Sequence, residues 1–225
     1  MSTPTTPSAR IVVLSAGVGD PSSTRMLADR TADRILALAA DRDLVVEAEV
    51  IELRTFATEI AAALVSTTVG PRLRAVRESL AAADGIVVAA PVYKAAPSAL
   101  LLALLQGLDN DLLIGKPVVL AATAGTSRHA LVIDDQLRGL FAFLRTITVP
   151  TSLFAAPEDW SDPALAERID RAAAEFVLLL ESGVAAAIRD GSWHRYRHEF
   201  GSTGADAAPS LDFDSDLMRM ARGGA

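Results

Sequence analysis

The stretch DGIVVAAPVYKAAPSALLLALLQGL, residues 84–108, decides the architecture. Its apolar run, residues 86–90, is too short for a helix and is fenced by Asp84-Gly85 before it and Pro91 after it. That is the pattern of a strand buried on both faces of a parallel sheet. Pro97 and Ser98 then open a leucine-rich helix, with Ser98 as its expected N-cap. The six residues between, 91–96, lie at the carboxyl end of a parallel strand, where open α/β sheets bind ligands. They combine a stiff proline, one of only two tyrosines and a lysine among small side chains. A flat ligand fits against Val92 and Tyr93, with backbone amides at its edge. Taken alone, the segment reads first as an ordinary strand-to-helix turn.

Working outward, residues 11–15 and 118–122 are two more short apolar runs that predict buried strands. Residues 45–53 alternate apolar side chains with Glu47 and Glu49, which predicts a strand at or near a sheet edge. Residues 147–150 and 153–155 predict a fifth strand kinked at Pro150. Helical periodicity fills the intervals at 25–40, about 57–64, up to about 83, from 98, 129 to about 144, and 163 to about 188. Strands alternating with helices specify an α/β fold, a five-stranded parallel sheet with helices on both faces. Residues 1–9 read as a flexible lead-in, 10–189 as the folded domain, and 190–225 as an irregular tail with apolar anchors at Phe213, Leu217 and Met218.

Composition narrows the function. The chain has 225 residues, 51% of them hydrophobic, and a formal charge of −7. With no Lys/Arg run to neutralise phosphates, nucleic acid is excluded as a partner. No apolar stretch reaches the length of a membrane span, and the N-terminus has no apolar signal region, so a cytoplasmic protein is expected. The absence of cysteine rules out disulfides, thiolate nucleophiles and Cys metal sites. The histidines offer no metal spacing: His129 has no ligand at i+4, and His194 and His198 sit in a basic stretch that disfavours a cation. No Gly-x-Ser-x-Gly elbow is present.

Three loops follow three of the strands and open on one rim. The first holds Ser15, Gly17, Gly19, Ser22, Ser23 and Thr24 just ahead of a helix N-terminus. Hydroxyls and unpaired amides there suit a phosphate, with Arg25 either adding charge or pointing to solvent; Ser22 or Ser23 reads equally as a simple helix cap. The second is the 91–97 loop. The third, Thr123-Ala124-Gly125-Thr126, offers small residues and hydroxyls for a heterocycle's edge, or a plain turn.

The Pro91-Val92-Tyr93-Lys94-Ala95-Ala96 loop, with Ser98 and its leucine-rich helix, then Lys116-Pro117, residues 122–126 and His129-Ala130-Leu131, resembles the NAD(P)H-dependent FMN reductases over residues 10–185. The two-component reductases of alkanesulfonate-type systems look most alike. The tail, residues 211–218, resembles an actinobacterial branch whose members accompany a luciferase-like flavin monooxygenase. The resemblance implies a flavodoxin-like fold binding FMN at the three loops. Ser15, Ser23 and Thr24, with Ser22 close by, would hold the 5′-phosphate. Pro91, Val92, Tyr93 and Lys94 would line the isoalloxazine ring, and Thr123, Ala124, Gly125 and Thr126 would meet its pyrimidine side or a neighbouring subunit's loop.

Two positions depart from the family pattern. Ser15-Ala16-Gly17-Val18 lacks the early arginine of the usual Gly-Ser-x-Arg start, and Arg25 is the expected substitute. Asp135 stands where alkanesulfonate-type relatives carry an inserted aromatic at a tetramer interface.

The implied reaction is hydride transfer from NAD(P)H to flavin N5. The protein supplies stacking and alignment, so no catalytic residue is expected. Reduced FMN would pass to a partner monooxygenase. The rivals are a flavodoxin-like electron carrier, which would need more flanking aromatics than Tyr93, and an FMN-dependent quinone or azo reductase. The helix at 100–105 is apolar nearly all round, which predicts a homodimer or homotetramer built on it.

Overall fold

The computed structural model describes residues 8–66 and 68–193. The elements run β1 (Ser8–Ser15), α1 (Ser23–Ala40), β2 (Val45–Glu52), α2 (Ala57–Val65), α3 (Pro71–Ala82), β3 (Gly85–Tyr93), β4 (Ala96–Pro97), α4 (Ala99–Gln106), β5 (Pro117–Thr123), α5 (Arg138–Phe143), β6 (Ile147–Thr148), β7 (Leu153–Ala155), α6 (Pro163–Glu181) and α7 (Val184–Ile188). The sheet order is β2-β1-β3-β5-β6, with β7 parallel on the far end of β5 and β4 antiparallel to the end of β3. Six strands thus fill five positions, β6 and β7 sharing the fifth, and β4 lies off that path. Pro150 has no amide to donate, so the fifth position breaks into β6 and β7. β3 gains its small partner by folding back on itself. Counting positions, the order is 2-1-3-4-5, which is flavodoxin-like.

β3 and β5 are buried on both faces, apart from Tyr93 at the tip of β3. Alternate residues therefore serve two separate cores. Val12, Ile86, Val88 and Leu120 pack against Leu80, Leu101, Leu104 and Phe141 on one side. Ile11, Val87, Val119 and Ala121 meet Leu27, Ile35, Ala173 and Phe176 on the other. Gly85 is required by this packing, because a Cβ there would stand 2.5 Å from the ring of Phe176. β2 lies at the edge and is largely exposed, as its alternating sequence predicts.

Two predicted helices come out broken. The one expected over 129–144 is a 3₁₀ turn at Ser127–His129, a π turn at Ile133–Leu137 and only then α5. Arg138 explains where α5 begins. Its guanidinium pairs with Asp134 (3.0 Å) and donates to Thr148 Oγ1, to Ser152 Oγ and to the carbonyls of Val149 and Pro150. Those carbonyls border the gap between β6 and β7, so one side chain ties the helix to the sheet's interruption. The predicted final helix stops at Glu181. Gly183, at φ 64°, turns the chain before α7. Ser98 stands at the N-cap of α4 without a side-chain cap bond, and its amide donates to the Pro91 carbonyl at 2.9 Å. The start of the lead-in and the tail beyond Trp193, with His194, His198, Phe213, Leu217 and Met218, lie outside the described residues. Among the described residues no helix is long and apolar enough to cross a membrane.

Lys116 enters β5 with no exposed surface, and its ammonium donates to the carbonyls of Ala81 (2.7 Å) and Ala83 at the end of α3. Burial pushes its pKa from 10.5 to about 8; the Arg189 charge adds to the shift and Asp84 opposes it. The fold thus holds this proton less tightly than the unfolded chain. Below about pH 8 both states are protonated and the cost of the buried charge is fully present. Between about 8 and 10.5 only the unfolded state keeps the proton, so stability rises with pH. Urea unfolding at pH 7.5 and pH 10 should show the wild-type chain gaining stability relative to Lys116→Met across that interval. An unchanged difference would contradict it.

Candidate functional site

The strand order reverses between β1 and β3, and the crevice outside the carboxyl ends at such a point is where doubly wound sheets bind ligands. Here it is a cleft of about 460 Å³, within the size range of small-molecule sites. Its wall is built from the loop after β1, the ends of β3, β5 and β7 and the first turn of α1, and among the described residues no charged side chain lines it. A groove of similar size, about 430 Å³, runs beside Arg10, Glu47, Glu49 and Glu78 on the β1–β2 edge, away from those loops.

One end of the cleft is the start of α1. Ser22 is the N-cap, its hydroxyl accepting from the Arg25 amide at 3.2 Å. Ser22, Ser23 and Thr24 all reach the wall. The amides of Ser23 and Thr24 have no acceptor within the helix, so they present the positive end of the dipole to the cleft. Thr24 and Thr123 share a buried hydroxyl–hydroxyl bond of 2.7 Å, which ties the first loop to the third. Gly17 allows the loop to close on this turn: a Cβ would meet Ser22 Oγ at 2.1 Å and Thr24 Cβ at 3.0 Å. Ser15 is buried beneath the loop and is absent from the wall.

Arg25 does not line the cleft. Its guanidinium pairs with Asp29 (2.7 Å) and Glu52 (2.8 Å), the latter at the end of the neighbouring β2. Arg54 donates to the other Glu52 oxygen, also at 2.8 Å. That hydrogen bond, helped by the Arg54 and Arg25 charges and opposed by burial, holds the Glu52 carboxyl below the usual carboxylate range. The one cation in the first turn is therefore committed to two carboxylates. An anion in the cleft would meet hydroxyls and amides instead.

The middle wall is Pro91, Val92 and Tyr93. Val92 is buried, while Tyr93 is 50% exposed and offers its ring to the opening. A two-residue hairpin follows, pairing Val92 with Pro97 and Tyr93 with Ala96. Its central residues, Lys94 (φ 52°) and Ala95 (φ 63°), both take left-handed backbone. For residues with a Cβ that costs about 1–2 kcal/mol each. Lys94 is exposed and does not reach the wall.

Thr123, Ala124 and Gly125 form the third wall. The Ala124 amide is fixed by the Ala155 carbonyl at 3.2 Å. Thr126 instead caps the next turn, accepting from the Arg128 amide at 3.4 Å. A fourth contribution was missed by sequence reasoning: Ala155 at the end of β7, then Pro157 and Trp160, together with Val18 and Pro21 of the first loop, where Gly19 also reaches the wall. Trp160 carries the Arg30 guanidinium over its ring at 5.0 Å. One of only two tryptophans, just beyond the predicted fifth strand, was the available signal. Asp135 is exposed on the π turn. Among the described residues no group of His, Asp and Glu could hold a metal ion.

Known proteins share this chain's pattern over most of its folded part. An FMN reductase (NADPH) of Pseudomonas aeruginosa is 37% identical over 153 residues, 68% of this chain and 80% of that protein. The NADH-dependent FMN reductase SfnE of Pseudomonas putida is 38% identical over 188 residues, 80% and 94% of the two chains. The crystal structure of an oxidoreductase from Corynebacterium diphtheriae superposes with a TM-score of 0.74 at 38% identity, covering 77% of this chain and 97% of that one. Residues 9–161 match the family described as NADPH-dependent FMN reductase, and the chain belongs to that family.

Proposed function

We propose that this NAD(P)H-dependent FMN reductase holds FMN in the 460 Å³ cleft, phosphate at the start of α1 and ring against Tyr93. The observation that carries the reading is the placement of a helix N-terminus and an exposed aromatic on one cleft at the sheet's switch point. Ser22, Ser23 and Thr24, with the free amides of the first turn, receive the phosphate. Ser15 supports the loop from below. Pro91, Val92 and Tyr93 form the face on which the ring lies; Thr123, Ala124 and Gly125 border its polar edge, and Lys94 and Thr126 flank the opening. The flavin supplies the hydride-accepting chemistry when bound. The chain's own contribution is to align it, shield one face and leave the other open to a reduced nicotinamide.

The same wall suits flavin that leaves after reduction. Tyr93 stands half exposed, and the other aromatic on the described wall, Trp160, has its ring covered by the Arg30 guanidinium. In this reading reduced FMN is handed to a partner monooxygenase of the luciferase-like type in the cytoplasm. A homodimer or homotetramer forms through α4 and its neighbour α2. Leu100 and Leu102 are only partly buried, and Leu64 and Val65 are 46% and 87% exposed. Sedimentation of the isolated protein as a monomer would overturn the assembly.

Two measurements test the placement of the flavin. In anaerobic NAD(P)H oxidation with added FMN, Tyr93→Ala should raise the KM for FMN about three- to tenfold through lost stacking. Protein that stays yellow through dialysis would favour a permanently loaded electron carrier. In the same assay Thr24→Val should raise the KM for FMN about tenfold, whereas Arg25→Ala should shift it less than about twofold. A charged contact to the phosphate would be worth about ten- to a hundredfold, so a loss of that size in Arg25→Ala would return the phosphate to Arg25.

A further inference from the structure

The hairpin that carries Tyr93 has the wrong residues for its turn. Two-residue hairpins with both central residues left-handed favour Asn-Gly or Gly-Gly, because a Cβ is strained there. This chain uses Lys94 and Ala95. The hairpin is also minimal, since β4 offers only two residues for pairing. An isolated two-stranded ribbon of this length does not hold itself.

One side chain supplies an external hold. Gln136 Nε2 donates to the Ala95 carbonyl at 2.9 Å, joining points 41 residues apart in sequence. Among the described residues no other side chain hydrogen-bonds to Lys94 or Ala95. Gln136 is delivered from a firm base. It lies in the π turn Ile133–Leu137, whose end residues have no exposed surface. Arg138, two residues on, is bonded to Thr148, Val149, Pro150 and Ser152. The hold therefore runs from the sheet's interrupted fifth position, through Arg138 and Gln136, to the strained carbonyl.

We propose that Gln136 is a positioning residue for the flavin: without touching it, Gln136 keeps the strained hairpin, and with it Val92 and Tyr93, in the shape of the cleft wall. The assignment rests on the reading of the cleft as the FMN site. A hydrogen bond of this kind fits a several-fold effect on binding.

The experiment compares wild type, Gln136→Ala, Gln136→Glu and the double variant Gln136→Ala/Ala95→Gly. Each is read by steady-state NAD(P)H oxidation at varied FMN and by quenching of FMN fluorescence without nicotinamide. Gln136→Ala should raise the KM and the dissociation constant for FMN about three- to tenfold, with kcat within about twofold. Gln136→Glu should behave alike, since a carboxylate has no hydrogen to donate. Glycine at position 95 accepts the left-handed backbone freely, so the double variant should return both constants to within about twofold of wild type. A dissociation constant unchanged in Gln136→Ala, or a rise that Ala95→Gly fails to reverse, overturns the assignment. If Tyr93→Ala is also inert, the flavin has been misplaced. If Tyr93→Ala weakens binding while Gln136→Ala does not, only the role of Gln136 falls.

Discussion

The burial of β3 on both faces is the constraint from which the rest of this structure follows. From Gly85 to Val92 every residue is buried, so successive side chains must enter opposite cores. A strand in that position needs helices above and below it, and the chain supplies them by winding first one way across the sheet and then the other. The reversal falls between β1 and β3. The connections leaving their carboxyl ends must diverge to opposite faces, and the gap between them is the cleft. Gly85 belongs to the same constraint: α6 approaches β3 so closely at Phe176 that no side chain fits beneath it. The site is thus a geometrical consequence of how the central strand is covered, and the loop residues determine only what it can hold.

What they can hold is set by polarity without charge. An acidic protein has reason to place a cation near an anionic ligand, yet the arginine in the first turn of α1 is spent on Asp29 and Glu52. That pairing has a structural use. It joins the beginning of α1 to the end of the edge strand β2, which is otherwise held on one side only, by β1. The cleft is left with hydroxyls and with helix amides, whose partial positive charge is directed and cannot be screened away by a competing side chain.

The sheet was legible because a strand covered on both faces needs an unbroken apolar run and an edge strand does not. Residues 86–90, 118–122 and 45–53 show the two cases side by side. The three loops meet on one cleft because each leaves the carboxyl end of a parallel strand, which the order of strands and helices already implied. What sequence spacing could not carry were bonds between distant segments. Arg25 meets a partner 27 residues away because two strands happen to lie side by side. The interval 129–144 keeps a helical apolar spacing at Ile133, Leu137, Phe141 and Leu144, so its π turn was invisible until Arg138 was seen gripping the β6–β7 gap. The kink at Pro150 and the strand end at Ala155 were legible, but no spacing placed Trp160, five residues further on, against the cleft.

The two ends of the cleft are held by unlike means. At the α1 end, a capped helix and a buried Thr24–Thr123 bond fix the geometry from within the core. At the Tyr93 end, the backbone is strained at two successive residues and is steadied by an exposed amide. Strain of this kind persists only where surrounding contacts over-determine it, and here few do. In the proposed reading the first end meets the flavin's phosphate and the second its ring, so the ring's placement depends on fewer contacts than the phosphate's. The contrast follows from where each end sits: one grows from the sheet and from a helix packed on it, the other from a hairpin of two paired residues on each strand.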